Sequence, residues 1–134
     1  MAQIYINLPV KHLQQSVEFF TKLGFAFEPK FTDKNATCMI IDQNIFVMLL
    51  VEDFFKSFTT KQLCNTKTET EVLIALPYES REKVDEIINK AVKAGAKTPT
   101  LPKDLGFMYQ HGFEDLDGHL WEVFYMDETA MAAA

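Results

Sequence analysis

The chain has 134 residues, 48% of them hydrophobic and 24% charged. That is the profile of one globular domain with its own core, and it excludes a disordered or low-complexity chain. Thirteen Lys plus Arg against 19 Asp plus Glu leave a net charge of −6, so binding to a phosphate backbone or docking to an anionic membrane is not expected.

The first predicted strand is Ile4 to Val10. Ser16 to Leu23 then carries Val17, Phe19, Phe20 and Leu23 at helical spacing, with Leu13 one turn earlier, and Gly24 is a natural stop. Three strands are predicted next: Phe25 to Phe31, Ala36 to Ile41, and Ile45 to Val51. Asp42-Gln43-Asn44 breaks the last two and reads as a hairpin. Residues 52–70 are polar around Phe54, Phe55 and Phe58 and read as a short helix and a linker. Those rings either pack over a barrel end or a subunit interface, or form a lid over a pocket.

The second half repeats the order. Glu71 to Pro77 is a predicted strand. Ser80 to Ala94 is a predicted helix with Val84, Ile87, Ile88, Ala91 and Val92 on one stripe, Ser80 as its N-cap, and Gly95 as its end. Ala96 to Thr100, Phe107 to Glu114 and His119 to Met126 are predicted strands. Asp115-Leu116-Asp117-Gly118 is a strong turn signal. The tail from Ala130 carries no pattern and is expected to fray.

Each half therefore reads strand, helix, strand, strand, strand. The expectation is an α+β chain of two tandem βαβββ modules, forming an open barrel-like sheet with the helices outside. It is one domain, residues 1–134, with modules at 1–51 and 71–127 and a linker at 52–70. An internal cavity between the modules is the expected place of function. Cys38 and Cys64 are the only cysteines, and no CxxC or His/Cys ladder occurs, so neither a structural zinc site nor a disulfide is expected. With no basic start and apolar run at the N-terminus, the expected setting is the reducing cytoplasm.

Asn7-Leu8-Pro9-Val10-Lys11-His12-Leu13, followed by Ser16, Phe19, Phe20 and Leu23-Gly24-Phe25, resembles the opening strand and helix of the vicinal oxygen chelate superfamily. That superfamily includes glyoxalase I, extradiol dioxygenases, and fosfomycin and bleomycin resistance proteins. Phe113-Glu114-Asp115-Leu116-Asp117-Gly118-His119-Leu120-Trp121-Glu122-Val123 resembles its closing hairpin, with Leu116 where the family usually has Pro. The resemblance implies a divalent metal held by side chains from the first and last strands of each half. Those positions fall on Tyr5, Leu49, Leu73 and Glu122, and only Glu122 is a ready ligand. A catalytic metal needs about three N, O or S ligands, so no metal cofactor is expected. Metal-free members of the family are typically binding proteins.

Alternation along the last strand puts Glu122 inward with Leu120 and Phe124, and Trp121 outward, between sheet and helix with its N–H partnered. If the hairpin closes with Glu114 opposite His119, His111 stands beside Glu122 and Tyr109 beside Phe124, with Cβ atoms about 4.5–5.5 Å apart across the pair. A slip of one residue in the turn undoes this. The equivalent place in the first half pairs Leu49 with Cys38, which is expected to be an inert core thiol. The expected ligand-binding residues are His111, Glu122, Tyr109, Tyr5, Phe124 and Met48. His12, at the strand-to-helix junction, is expected to cap the helix or be solvated, and His119, at the hairpin tip, to be exposed.

The leading reading is thus a metal-independent small-molecule binding protein, expected as a homodimer. A metal-dependent lyase or dioxygenase relative using Tyr5, His111 and Glu122 is the alternative. A third is a fold relative that acts through its surface.

Overall fold

The computed structural model describes residues 2–129, so the tail from Ala130 lies outside the described residues. The chain divides into two compact units between Cys64 and Asn65, inside the expected linker. Each unit is α+β, a four-stranded mixed sheet with a helix on one face. Among the described residues no helix is long and apolar enough to cross a membrane.

The first unit runs β1 (Ile4–Val10), α1 (Leu13–Lys22), β2 (Ala26–Glu28), a 3-10 turn (Pro29–Phe31), β3 (Ala36–Asp42), β4 (Ile45–Val51) and α2 (Glu52–Lys56). The sheet order is β1-β4-β3-β2, with β1 parallel to β4 and the other pairs antiparallel. Strand β2 ends at Glu28 rather than Phe31, because Pro29 has no N–H for a ladder and opens the tight turn. The apolar stripe of α1 buries Phe19 and Phe20 against Leu8, Val10, Met39, Val47 and Leu49. Helix α2 packs on β1 and β4.

The second unit runs β5 (Leu73–Pro77), α3 (Arg81–Lys93), β6 (Lys103–Asp104), β7 (Met108–Glu114) and β8 (Leu120–Met126), in the order β5-β8-β7-β6. Ser80 caps α3, its Oγ accepting from the Lys83 N–H at 3.1 Å. Val84, Ile87, Ile88 and Ala91 are buried beneath the helix with Ile74, Phe113, Trp121 and Val123. Val92 lies outside that stripe and is 47% exposed, since one residue further turns the side chain about 100° away from Ala91. Ala96 to Thr100 is not a strand. Lys97 makes one isolated bridge to Glu114, and the edge of the sheet is taken by Lys103–Asp104. Pro99 and Pro102 deny a ladder its donors there.

Charge is divided unevenly. The first unit carries six lysines and six acidic side chains, the second seven basic and thirteen acidic, so the excess of −6 belongs wholly to the second.

Candidate functional site

The closing hairpin sets the phase of everything in the second unit. Asp115 accepts at Oδ1 from the backbone N–H groups of Asp117 (2.9 Å) and His119 (3.0 Å), and its own N–H donates to the His119 carbonyl at 3.0 Å. An Asp that gathers the turn's N–H groups in this way fixes the turn. Asp115 therefore faces His119, and Glu114 pairs with Leu120 rather than with His119. The expected register is corrected by one residue. Phe113 pairs with Trp121, Gly112 with Glu122, His111 with Val123, Gln110 with Phe124, and Tyr109 with Tyr125.

A one-residue shift reverses faces. Residues directly opposite in a ladder share a face, so Tyr109, His111 and Phe113 lie with Tyr125, Val123 and Trp121 on the side of α3. Glu122 and Phe124 lie on the other side, the open face. The expected His111–Glu122 and Tyr109–Phe124 pairs are not formed. His111 donates from Nε2 to the Thr100 carbonyl at 3.1 Å. Tyr109 donates to Asp85 Oδ1 on α3 at 2.6 Å, and that hydrogen bond to a carboxylate pushes its phenol up to about 12. Arg81 donates to Asp104 Oδ2 at 2.7 Å and to the Gly106 carbonyl at 3.0 Å, with its guanidinium carbon 5.5 Å and 6.0 Å from the Tyr109 and Tyr125 ring centres. The same arginine holds Asp104 below the usual carboxylate range.

On the open face Glu122 is flanked by Ala75 on β5 and Gly112 on β7. A Cβ at Gly112 would lie 3.8 Å from Glu122 Cγ. The half-buried carboxylate thus has the two smallest neighbours a sheet offers, and it makes no hydrogen bond among the described residues. Leu73 and Phe124 complete this face.

His119 is not solvated. It is 2% exposed, and Nδ1 lies 2.6 Å from Glu71 Oε1; a carboxylate only accepts, so Nδ1 carries the proton. Beside it Asp115 is buried, and Trp121 donates from Nε1 to its second oxygen at 3.0 Å, the partnered indole between sheet and helix that the sequence implied. Burial pushes the Asp115 carboxyl up, against the pull of His119 and of these donors. Thr66 donates to the Asp117 carbonyl, fastening the linker to the turn. Nothing in the sequence marks this cluster except the density of side chains able to hydrogen-bond. His12, by contrast, is exposed; it sits at the N-cap of α1 and makes no side-chain cap bond.

In the first unit Tyr5 stacks on Phe46 with ring centres 4.8 Å apart, and Tyr5 is 42% exposed. Asn7 pairs with Met48 and Pro9 with Leu50, so Tyr5, Asn7, Phe46, Met48 and Leu50 share the face turned away from α1. Leu49 is fully buried on the opposite face. Cys38 pairs with Met48 and Thr37 with Leu49, which corrects the expected Cys38–Leu49 pair by one residue. Burial raises the Cys38 thiol, and Glu28 across the pair raises it further, as befits an inert thiol. Over the same face Asn7, Leu50, Phe55, Phe58 and Thr59 enclose a cavity of about 350 Å³. Two of the three phenylalanines after β4 thus line a pocket.

The internal repeat identifies the metal positions that the resemblance implies. Pro9 faces Leu50 as Pro77 faces Phe124, and Asn7 faces Met48 as Ala75 faces Glu122. The counterpart of Glu122 is therefore Met48, not Leu49. The four positions hold a phenol, a thioether, a hydrocarbon and a carboxylate. A carboxylate, a neutral phenol, a thioether and a leucine do not make the donor set of a zinc, manganese or iron site, so these residues do not fit the metal. Among the described residues no group of three His, Cys, Asp or Glu could hold an ion.

Known structures share this fold. A hypothetical protein from S. aureus is 28% identical, with a TM-score of 0.80 over 93% of this chain and 94% of that one. A glyoxalase/bleomycin resistance protein/dioxygenase family enzyme from Burkholderia phytofirmans PsJN is 14% identical, with a TM-score of 0.78 over 94% and 99%. The fosfomycin resistance protein FosX from Listeria monocytogenes, complexed with Mn(II) and sulfate, is 19% identical, with a TM-score of 0.71 over 98% and 95%. No curated protein matches the chain. The profile of the Glyoxalase/Bleomycin resistance protein/Dioxygenase superfamily matches residues 3–123, and the chain belongs to that superfamily.

Proposed function

We propose that this chain is a small-molecule binding protein that works without a metal. The observation that carries the reading is the cavity of about 350 Å³ on the open face of the first unit, a size typical of ligand sites. Leu50, Phe55 and Phe58 supply apolar walls. The Asn7 amide, which makes no hydrogen bond among the described residues, supplies one oriented donor and acceptor. Met48 and the Tyr5–Phe46 stack continue the same surface. In the second unit Glu122, with Phe124 on the same face, is a separate polar group open to a ligand. His111 and Tyr109 leave the ligand set, because their polar atoms are engaged on the α3 side.

The donor set supports the metal-free half of the proposal. The alternative set Tyr5, His111 and Glu122 loses its support because His111 and Glu122 lie on opposite faces of one hairpin.

Chelator-treated protein is loaded with zinc, manganese, nickel and iron salts, and separately screened by thermal shift against small aromatic, aliphatic and cationic compounds. The expected outcome is less than about one tenth of an equivalent of bound metal. At least one compound is expected to stabilise by about 2.7 kcal/mol at a hundred times its Kd. Leu50→Trp, which fills the cavity, is expected to remove that stabilisation. Stoichiometric metal that is lost in Glu122→Gln overturns the proposal in favour of a metal-dependent lyase or dioxygenase.

A further inference from the structure

The two units differ at one place in their shared plan. Helices α1 and α3 begin at Leu13 and Arg81, and their fifth residues are Val17 and Asp85. Leu8 faces Leu49 as Leu76 faces Val123, and those residues in turn face Thr37 and His111. Leu13, Val17 and Thr37 are therefore the counterparts of Arg81, Asp85 and His111. In the second unit Arg81 and Asp85 are taken up by Asp104 and Tyr109 between the start of the helix and the sheet edge, and His111 by the Thr100 carbonyl. In the first unit smaller, uncharged side chains stand there, and a crevice of about 410 Å³ opens between α1, the 3-10 turn and β3.

Its lining has a definite chemistry. Leu13, Val17, Phe27 and Pro29 form an apolar trough. Thr37, 1% exposed, donates its hydroxyl to that of Thr32 at 2.9 Å, and Thr32 in turn donates to the Glu28 carbonyl at 2.8 Å, so both hydroxyls are satisfied within the fold. Asp33 also lines it, but its Oδ1 is engaged by the backbone N–H groups of Asn35 (2.8 Å) and Ala36 (3.1 Å). Lys34 makes no ion pair among the described residues, so its ammonium is the free charge at the mouth. The unit around it is neutral, and the acidic excess that repels anions lies in the other unit.

We infer that this crevice is a second binding site, distinct from the open-face cavity, for a small monocarboxylic acid with an aryl or branched-alkyl body. The body fills the trough, and the carboxylate meets the Lys34 ammonium, a charge-assisted contact that a neutral isostere does not reproduce.

The test is a ¹H–¹⁵N NMR titration of the full-length chain with 3-phenylpropanoate and, separately, with 3-phenylpropanamide. The acid is expected to give saturable shifts at residues 13–17 and 32–37, and to bind about tenfold more tightly than the amide. Lys34→Gln, a surface change, is expected to remove that advantage and leave the amide's affinity unchanged. Val17→Phe is expected to abolish both titrations at an unchanged melting temperature. Equal affinity for acid and amide, no effect of Lys34→Gln, no saturable shift up to about 10 mM, or shifts centred on Asn7 and Phe55 instead would overturn the inference. The last result would leave the open-face cavity as the sole site.

Discussion

Nδ1 of His119 lies 2.6 Å from Oε1 of Glu71, and so the polar segment entering β5 is tied to the foot of the closing hairpin by a buried imidazole. Removing the carboxylate leaves a buried N–H without its acceptor. Glu71→Ala is expected to cost about 1–3 kcal/mol. His119→Ala, which also leaves a cavity, is expected to cost about 2–4 kcal/mol. Urea denaturation of both variants measures this. Losses under about 0.5 kcal/mol, the range of an ordinary surface change, would show that the tie contributes nothing.

Gly118 and Gly106 both adopt φ +85°, but in different company. A Cβ at Gly118 would meet Thr66 Oγ1 at 2.7 Å and its Cβ at 2.9 Å, while one at Gly106 meets nothing within 4 Å. Gly106→Ala is expected to cost about 1 kcal/mol for backbone strain alone. Gly118→Ala is expected to cost about 2–4 kcal/mol, with part recovered in the double variant with Thr66→Gly. Equal costs at the two glycines would refute the contact argument.

Tyr109 is expected to ionise at about 12, against an ordinary value near 10, in an absorbance titration of the phenolate. Its folded pKa is raised, so its contribution to stability is complete below the unfolded value and disappears as pH climbs from about 10 to 12. Asp85→Ala removes the acceptor and the neighbouring charge, and should return the transition toward 10.

The helix starts offer a further contrast. Ser80→Ala deletes a formed cap and is expected to cost about 1 kcal/mol. His12→Ser supplies one where none exists and is expected to stabilise by about 0.5–1 kcal/mol, read from chemical denaturation.

The strands β1 and β4 are legible in the sequence to the residue, because each is an apolar run bounded by polar or turn residues. The duplicated order is legible for the same reason. Which way those side chains point is not. Ile45 to Val51 is apolar on both sides, so nothing in it says that Met48 rather than Leu49 shares the open face. Glu114 to His119 permits two closures one residue apart, and the Asp115 hydrogen bonds that decide between them are tertiary in effect though local in sequence. His119 is polar and follows a glycine, which composition reads as exposed, yet a partner 48 residues away buries it. The crevice beside α1 escapes sequence reading because it is made by what Leu13, Val17 and Thr37 lack relative to their counterparts.

Surface turns are where chains usually tolerate insertions and deletions. The stretch between Asp115 and His119 does not have that freedom. Removing or adding one residue there, with β7 and Asp115 held in place, would turn β8 over as a whole, sending Trp121 and Val123 to the water and Glu122 under α3. The length of this turn is thus a core parameter, as tightly bound as the size of any side chain beneath the helix.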